Sequence, residues 1–213
     1  MPSLLRRRLV HHAALATGSV VLGAVAAGLD TSQGWSSQLS FATAWICLVY
    51  MAVALVIGPV TARRRGSVPV NNYLRRDVGI WCALTGLAHF FLGVDQSMNP
   101  VYLARYVTAD QGLVTPEVAQ QFFTWGSIAG LVVAVIILVP LCISSDFMLR
   151  RLGPVWWKRL QKTAVWAFAF TIAHGLAFQL LESRSAAWIA LLVGLSLAVI
   201  ALRLSGRRAG PRP

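Results

Sequence analysis

Six apolar runs, each close to twenty residues and separated by polar connections, dictate most of what this chain can become. They fall at about 9–29, 41–60, 78–94, 123–143, 163–181 and 186–202. A helix rising 1.5 Å per residue needs ~20 residues to cross ~30 Å of hydrocarbon, so each run is a candidate transmembrane helix. A bilayer offers no partners to backbone N–H and C=O groups, which leaves a helical bundle as the fold. The expected fold class is all-α: an integral membrane bundle of six transmembrane helices, forming one domain over residues 1–213. Only 12% of the residues are charged, about half the ~25% usual in soluble domains.

The basic residues give the bundle a direction. Arg6, Arg7 and Arg8 precede the first run; Arg63, Arg64, Arg65, Arg75 and Arg76 fill the second connection. Arg150, Arg151, Lys158, Arg159 and Lys162 lie in the fourth, and Arg203, Arg207, Arg208 and Arg212 in the tail. The intervening connections carry only Arg105 and Arg184. Alternation of this kind places both termini in the cytoplasm of a multi-pass protein, here expected in a bacterial inner membrane. A net charge of +12 would point to nucleic acid in a soluble protein. Here the cations cluster between apolar runs, so membrane lipid is the expected partner and nucleic acid is not. The first apolar region, about twenty residues, exceeds the ~7–15 of a signal peptide and reads as a first span.

Cys47, Cys82 and Cys142 sit inside apolar runs without C-x-x-C spacing, as buried small hydrophobes do. There is no G-x-G-x-x-G fingerprint, so a reductase partner would be a separate polypeptide. The connection from Asp95 to Phe122 has Asn99-Pro100 and Thr115-Pro116 breaks and room for a short helix from Pro116, and a connection of this length would lid the outer face of the bundle. Asp146 and Arg150 are spaced for an i,i+4 ion pair, and Gly153-Pro154 marks a turn into the next helix.

Two of the four histidines lie deep in apolar runs. His89 is 12 residues beyond Asp77 and His174 is 13 beyond Gln161, about 18 and 20 Å of helical rise. Both helices enter from the same side, so the two imidazoles reach one level, toward the outer face. Ionisable residues at such depth usually face a partner inside the bundle. Neutral imidazole is a good ligand for haem iron, and a pair gives a six-coordinate electron-transfer site. Gly86 and Gly93 share the face of His89, with Gly79 continuing the stripe; Phe170, Thr171, Gly175 and Phe178 surround His174. Small residues with flanking aromatics suit a flat apolar cofactor, although the same spacing also packs membrane helices. A purely structural role, with the imidazoles bonded to backbone or to each other, and a two-histidine metal site remain open alternatives. His11 and His12 open the first span near the arginines, where an imidazole is easily solvated.

The segments LRRDVGIWCALTGLAHFF (Leu74–Phe91) and ISSDFMLRRLGPVWWKRLQK (Ile143–Lys162), followed by His174, resemble the ferric-reductase-like transmembrane domain family. The likeness is to the haem-binding bacterial subunits that serve a periplasmic methionine sulfoxide reductase, and it covers about Tyr73 to Glu182. It implies haem b held by His89 and His174, one haem where the family commonly has two, because Arg75 and Gln161 stand at the inner ligand positions. His11 or His12 would be the substitute ligands at that level. The resemblance also implies a bridging carrier, FMN or a quinone, near Arg75, Arg76, Trp157, Lys158 and Arg159; the alternative is that these are interfacial anchors. The expected function is electron transport, an oxidoreductase subunit rather than a complete enzyme. A cytoplasmic flavin or quinol would be the donor, and a periplasmic reductase subunit or ferric iron the acceptor. The competing expectation is a non-redox membrane scaffold or transporter with a degenerate haem domain.

Overall fold

The computed structural model describes residues 2–29, 34–65, 72–101, 103–104 and 115–208. Its helices are α1 (Pro2–Leu29), α2 (Trp35–Arg65), α3 (Tyr73–Met98), α4 (Pro116–Cys142), α5 (Asp146–Gln161), α6 (Ala164–Leu181) and α7 (Ala186–Arg208). No strand occurs among the described residues. Six spans are long and apolar enough to cross a membrane, with α5 and α6 together covering the fifth. The all-α bundle of six spans is therefore present. Most helices outrun their apolar stretches because flanking polar residues extend the ladder into the boundary region.

Pro116 does not start a separate short helix. It is the first residue of a helix of 27 residues that continues as the fourth span; proline suits that position because its missing N–H would have no helical partner there. The proposed lid falls mostly on residues 105–114, outside the described residues.

α2 is the hub. It packs most extensively on α3 and also touches α1, α6 and α7, while α4 pairs with α6. Within the apolar window of α2, 61% of residues are buried, against 6% for α1, which makes α1 a peripheral helix. Trp45, Cys47, Met51 and Leu55 of α2 meet Val78 and Cys82 of α3, Phe168 of α6 and Leu192 of α7 in one core. Cys47 and Cys82 are buried with Sγ atoms 3.8 Å apart, whereas Cys142 is exposed on the surface of α4, contrary to the expectation of burial. Position 142 lies on the outward face of α4, while Ile137 and Ile143 on either side are buried.

α5 is amphipathic and bent. Ser145 caps it by accepting a hydrogen bond from the Met148 N–H at 3.1 Å. Gly153 lies at φ 69°, ψ 162°, a region open in practice only to glycine, and Pro154 restarts the helix with its φ already set. Asp146 does not pair with Arg150 as its spacing anticipates. It pairs with Arg76 of α3, whose guanidinium also donates to the Ser144 carbonyl. Arg76 is almost wholly buried while Arg150 is exposed, so the enclosed cation takes the carboxylate.

Long-range polar contacts gather the arginine-bearing helix ends at one end of the bundle. Arg203 of α7 donates to the Leu55 carbonyl of α2 at 3.3 Å, and Arg63 of α2 contacts Ser205. On the opposite flank Asp77 of α3, with no exposed surface, accepts from Arg8 of α1 at 2.8 Å and faces His11 Nδ1 at 2.9 Å. His12 Nδ1 accepts from the Trp81 indole at 3.1 Å, which turns its Nε2 toward the same carboxylate at 3.6 Å. A buried charge is tolerated when its lone pairs are matched this way. The network fastens a helix that apolar packing alone holds weakly.

Removing one partner of a buried ion pair costs ~3–5 kcal/mol, and the 29% exposure of the Arg8 side chain places Asp77→Ala near the low end, about 3 kcal/mol. Thermal unfolding in detergent should show that loss. A midpoint equal to wild type would mean that α1 is held by packing instead.

Candidate functional site

His89 and His174 meet at the level where α3 and α6 are flanked by the start of α2 and by α4. Their Nε2 atoms are 3.5 Å apart and their rings lie at 72° to each other, with centroids 5.8 Å apart. The common depth expected from the sequence is therefore realised as a facing pair.

Each ring is fixed from behind. His89 Nδ1 lies 2.9 Å from the Ser40 carbonyl oxygen of α2 and 3.2 Å from the Ser40 hydroxyl. His174 Nδ1 lies 2.8 Å from the Gly126 carbonyl oxygen of α4. A carbonyl only accepts, so each Nδ1 carries the proton and donates it. In a neutral imidazole the remaining Nε2 is then an acceptor. Two acceptor nitrogens thus face each other across 3.5 Å with no hydrogen between them. Their lone pairs repel unless a proton or another electrophile stands between, and a proton would put a charge into an apolar bundle. Donation of Nδ1–H to a backbone carbonyl is also how a metal-binding histidine is held in its tautomer and made more basic.

Small residues let the rings approach. A methyl group at Gly130 would meet His174 Nδ1 at 2.8 Å and Cε1 at 2.9 Å, so the imidazole occupies the place of a side chain on α4. At Gly126 a methyl would meet the Phe178 ring at 3.0 Å and Ala177 at 3.1 Å. Gly126 and Gly130 form a small-xxx-small step on which α6 closes. Phe178 lies with its ring centroid 4.9 Å from that of His174.

The glycines anticipated on α3 behave differently from one another. Gly86 is filled by packing, with Cys47 Sγ 2.9 Å and Ile137 3.0 Å from a methyl at that position. Gly93, one turn beyond His89, has nothing within 4 Å, and Gly79 is likewise open. On α6 Thr171 donates to the Ala167 carbonyl, and Gly175 admits Leu192. α3 and α6 make almost no backbone-level contact elsewhere, so the histidines bridge two helices that are otherwise held apart.

Toward the arginine-rich end, Arg75 and Gln161 line one cavity of about 70 Å³ with Arg76, Gly79, Ala83 and Ala164. The remaining members of the anticipated carrier cluster are not brought to it. Trp157 is buried and donates to the Ile143 carbonyl at 2.9 Å. Arg159 stacks 5.0 Å over Trp156, and Lys158 is exposed. His11 and His12 point to Asp77 and Trp81.

Three site residues were not singled out from the sequence: Ser40, Gly126 and Gly130. The G-x-x-x-G spacing at 126–130 was a readable signal; Ser40 acts through its carbonyl and gives none. Comparison with protein-family models, curated proteins and solved structures finds no match for this chain.

Solid-state ¹⁵N spectra of the histidine-labelled protein, before any metal is added, should show protonated Nδ1 and bare Nε2 at both His89 and His174. An Nε2–H at either ring would remove the acceptor–acceptor pair.

Proposed function

We propose that this protein is a membrane electron carrier in which His89 and His174 would hold one b-type haem. The observation that carries the reading is the facing pair of Nε2 acceptors, each fixed by its own Nδ1–H bond. A metal–imidazole bond is about 2.0–2.1 Å, so two opposed ligands need ~4 Å between nitrogens. The 3.5 Å spacing falls short of that by about half an ångström, so binding would have to draw α3 and α6 slightly apart.

The donor set also fits this group better than a bare ion. Among the described residues no group of three or more His, Cys, Asp or Glu is arranged to hold a metal. Two imidazoles meet half of a tetrahedral ion's needs, whereas haem iron would need only these two ligands from the protein. The open space beside Gly93 and the separation of α3 from α6 support a flat occupant.

Bound haem would supply one-electron exchange at its iron. The chain's own residues do the rest. The Ser40 and Gly126 carbonyls hold both tautomers and raise the basicity of the ligating nitrogens. Phe178 shields one side of His174, and the surrounding apolar helices keep water away. At the Arg75–Gln161 level no imidazole pair faces across the bundle, since His11 and His12 are turned to Asp77 and Trp81, which favours a single haem.

We place the arginine-rich end in the cytoplasm of a bacterial inner membrane, following the alternation of basic connections. Electrons would enter there from a quinol or a flavin such as FMN near Arg75 and leave on the outer side. The acceptor would be a periplasmic reductase subunit or ferric iron, as the family resemblance implies.

The purified protein should be red, with a reduced-minus-oxidised difference spectrum of low-spin b-type haem and one haem per chain by pyridine haemochrome. His89→Ala or His174→Ala should abolish the low-spin signal. Gly130→Ala, which pushes the His174 ring aside, should cut haem retention at least tenfold while leaving the helical content intact. A colourless but monodisperse wild-type sample, still colourless after haem addition, would overturn the reading in favour of a non-redox scaffold.

A further inference from the structure

A second cavity, of about 470 Å³, opens at the arginine-rich end between α1, α2 and the start of α3, well away from the histidine pair. Its polar lining includes Arg7 and His11 of α1, Arg64 of α2 and Tyr73 of α3; Leu4 and Val60 give it apolar walls. The volume is in the range of sites that enclose a small molecule or headgroup.

The charges around it do not balance. Arg8 also lines the cavity, but its Nε and Nη2 both go to Asp77, which neutralises it. His11 faces the other oxygen of that carboxylate through Nδ1 and so turns its far nitrogen elsewhere. Arg7 and Arg64 have exposed side chains that bracket the cavity from two helices, and among the described residues neither has a carboxylate within ion-pair reach. No acidic residue lines the cavity, and residues 66–71, which join α2 to α3, contain none. Two uncompensated guanidiniums thus stand over a half-apolar cavity at the edge of the hydrocarbon.

We infer that this cavity binds a phosphate ester, with the headgroup of an anionic phospholipid as its natural occupant. Guanidinium forks match phosphate oxygens in pairs, and basic pockets between membrane helices on one leaflet are where anionic headgroups are held. Leu4 and Val60 would take the start of an acyl chain, and Tyr73, whose ring already lies beneath Arg8 and Arg76, offers a hydroxyl at the rim. Occupancy would join α1, the least buried span, to α2 and α3 through a charge that the protein itself lacks. The inference does not rest on the haem reading, since no lining residue touches His89 or His174.

Native mass spectrometry of the full chain in detergent, titrated with phosphatidylglycerol, phosphatidylcholine or glycerol phosphate, tests it. One phosphatidylglycerol per chain should persist under conditions that strip phosphatidylcholine. The double substitution Arg7→Gln, Arg64→Gln should reduce that retention at least tenfold, and Val60→Phe, which fills the cavity without changing charge, should reduce it as well. Binding of glycerol phosphate with the same dependence on both variants would keep the site and assign it a soluble phosphate ester. Equal retention of the two lipids, or phosphatidylglycerol retention unchanged in both variants, would overturn the inference.

Discussion

In hydrocarbon a polar hydrogen finds no water, so each buried N–H takes whatever acceptor the helices leave within reach. The rings of His89 and His174 obey this constraint through the Ser40 and Gly126 carbonyls, at 2.9 and 2.8 Å. Those carbonyls belong to two further helices, α2 and α4. One hydrogen bond thus ties α3 to α2 and the other α6 to α4, within the two helix pairs that pack most closely. The orientation of both imidazoles follows, and with it the presentation of two bare nitrogens to a common point.

α3 is anchored at both ends by different chemistry. At one end Asp77 gathers Arg8, His11 and the indole-oriented His12 from α1. About 18 Å along, by helical rise, His89 meets α2 and α6. Both ends bury groups that would be costly alone, and both lower that cost by mutual satisfaction. The small residues of α4 have the complementary role of removing bulk, so that the aromatic and imidazole rings of α6 can enter.

Much of this was legible in the chain itself. Hydropathy and length revealed the spans, because lipid leaves the backbone few options. The clustering of arginines anticipated which helix ends assemble together, and counting along two helices put His89 and His174 at one depth. Pairings decided by packing were not legible. Arg76 takes Asp146 across the bundle rather than leaving it to Arg150, since only Arg76 is enclosed. Asp77 looked like the polar boundary of a span until α1 folded over it. Gly86 read as space for a cofactor, yet Cys47 and Ile137 fill that space, a fact set by neighbours distant in sequence.

The position of α7 bears on how such a bundle is put together. It returns to α2, with Arg203 reaching Leu55 across 148 positions of sequence, while α6 lies against α4. During synthesis α1 to α3 can associate before α4 to α6 exist, and the latter before α7 arrives. The histidine pair sits on the border between these two assemblies. The last span, which packs on both α2 and α6, then joins the two assemblies from the far end of the sequence.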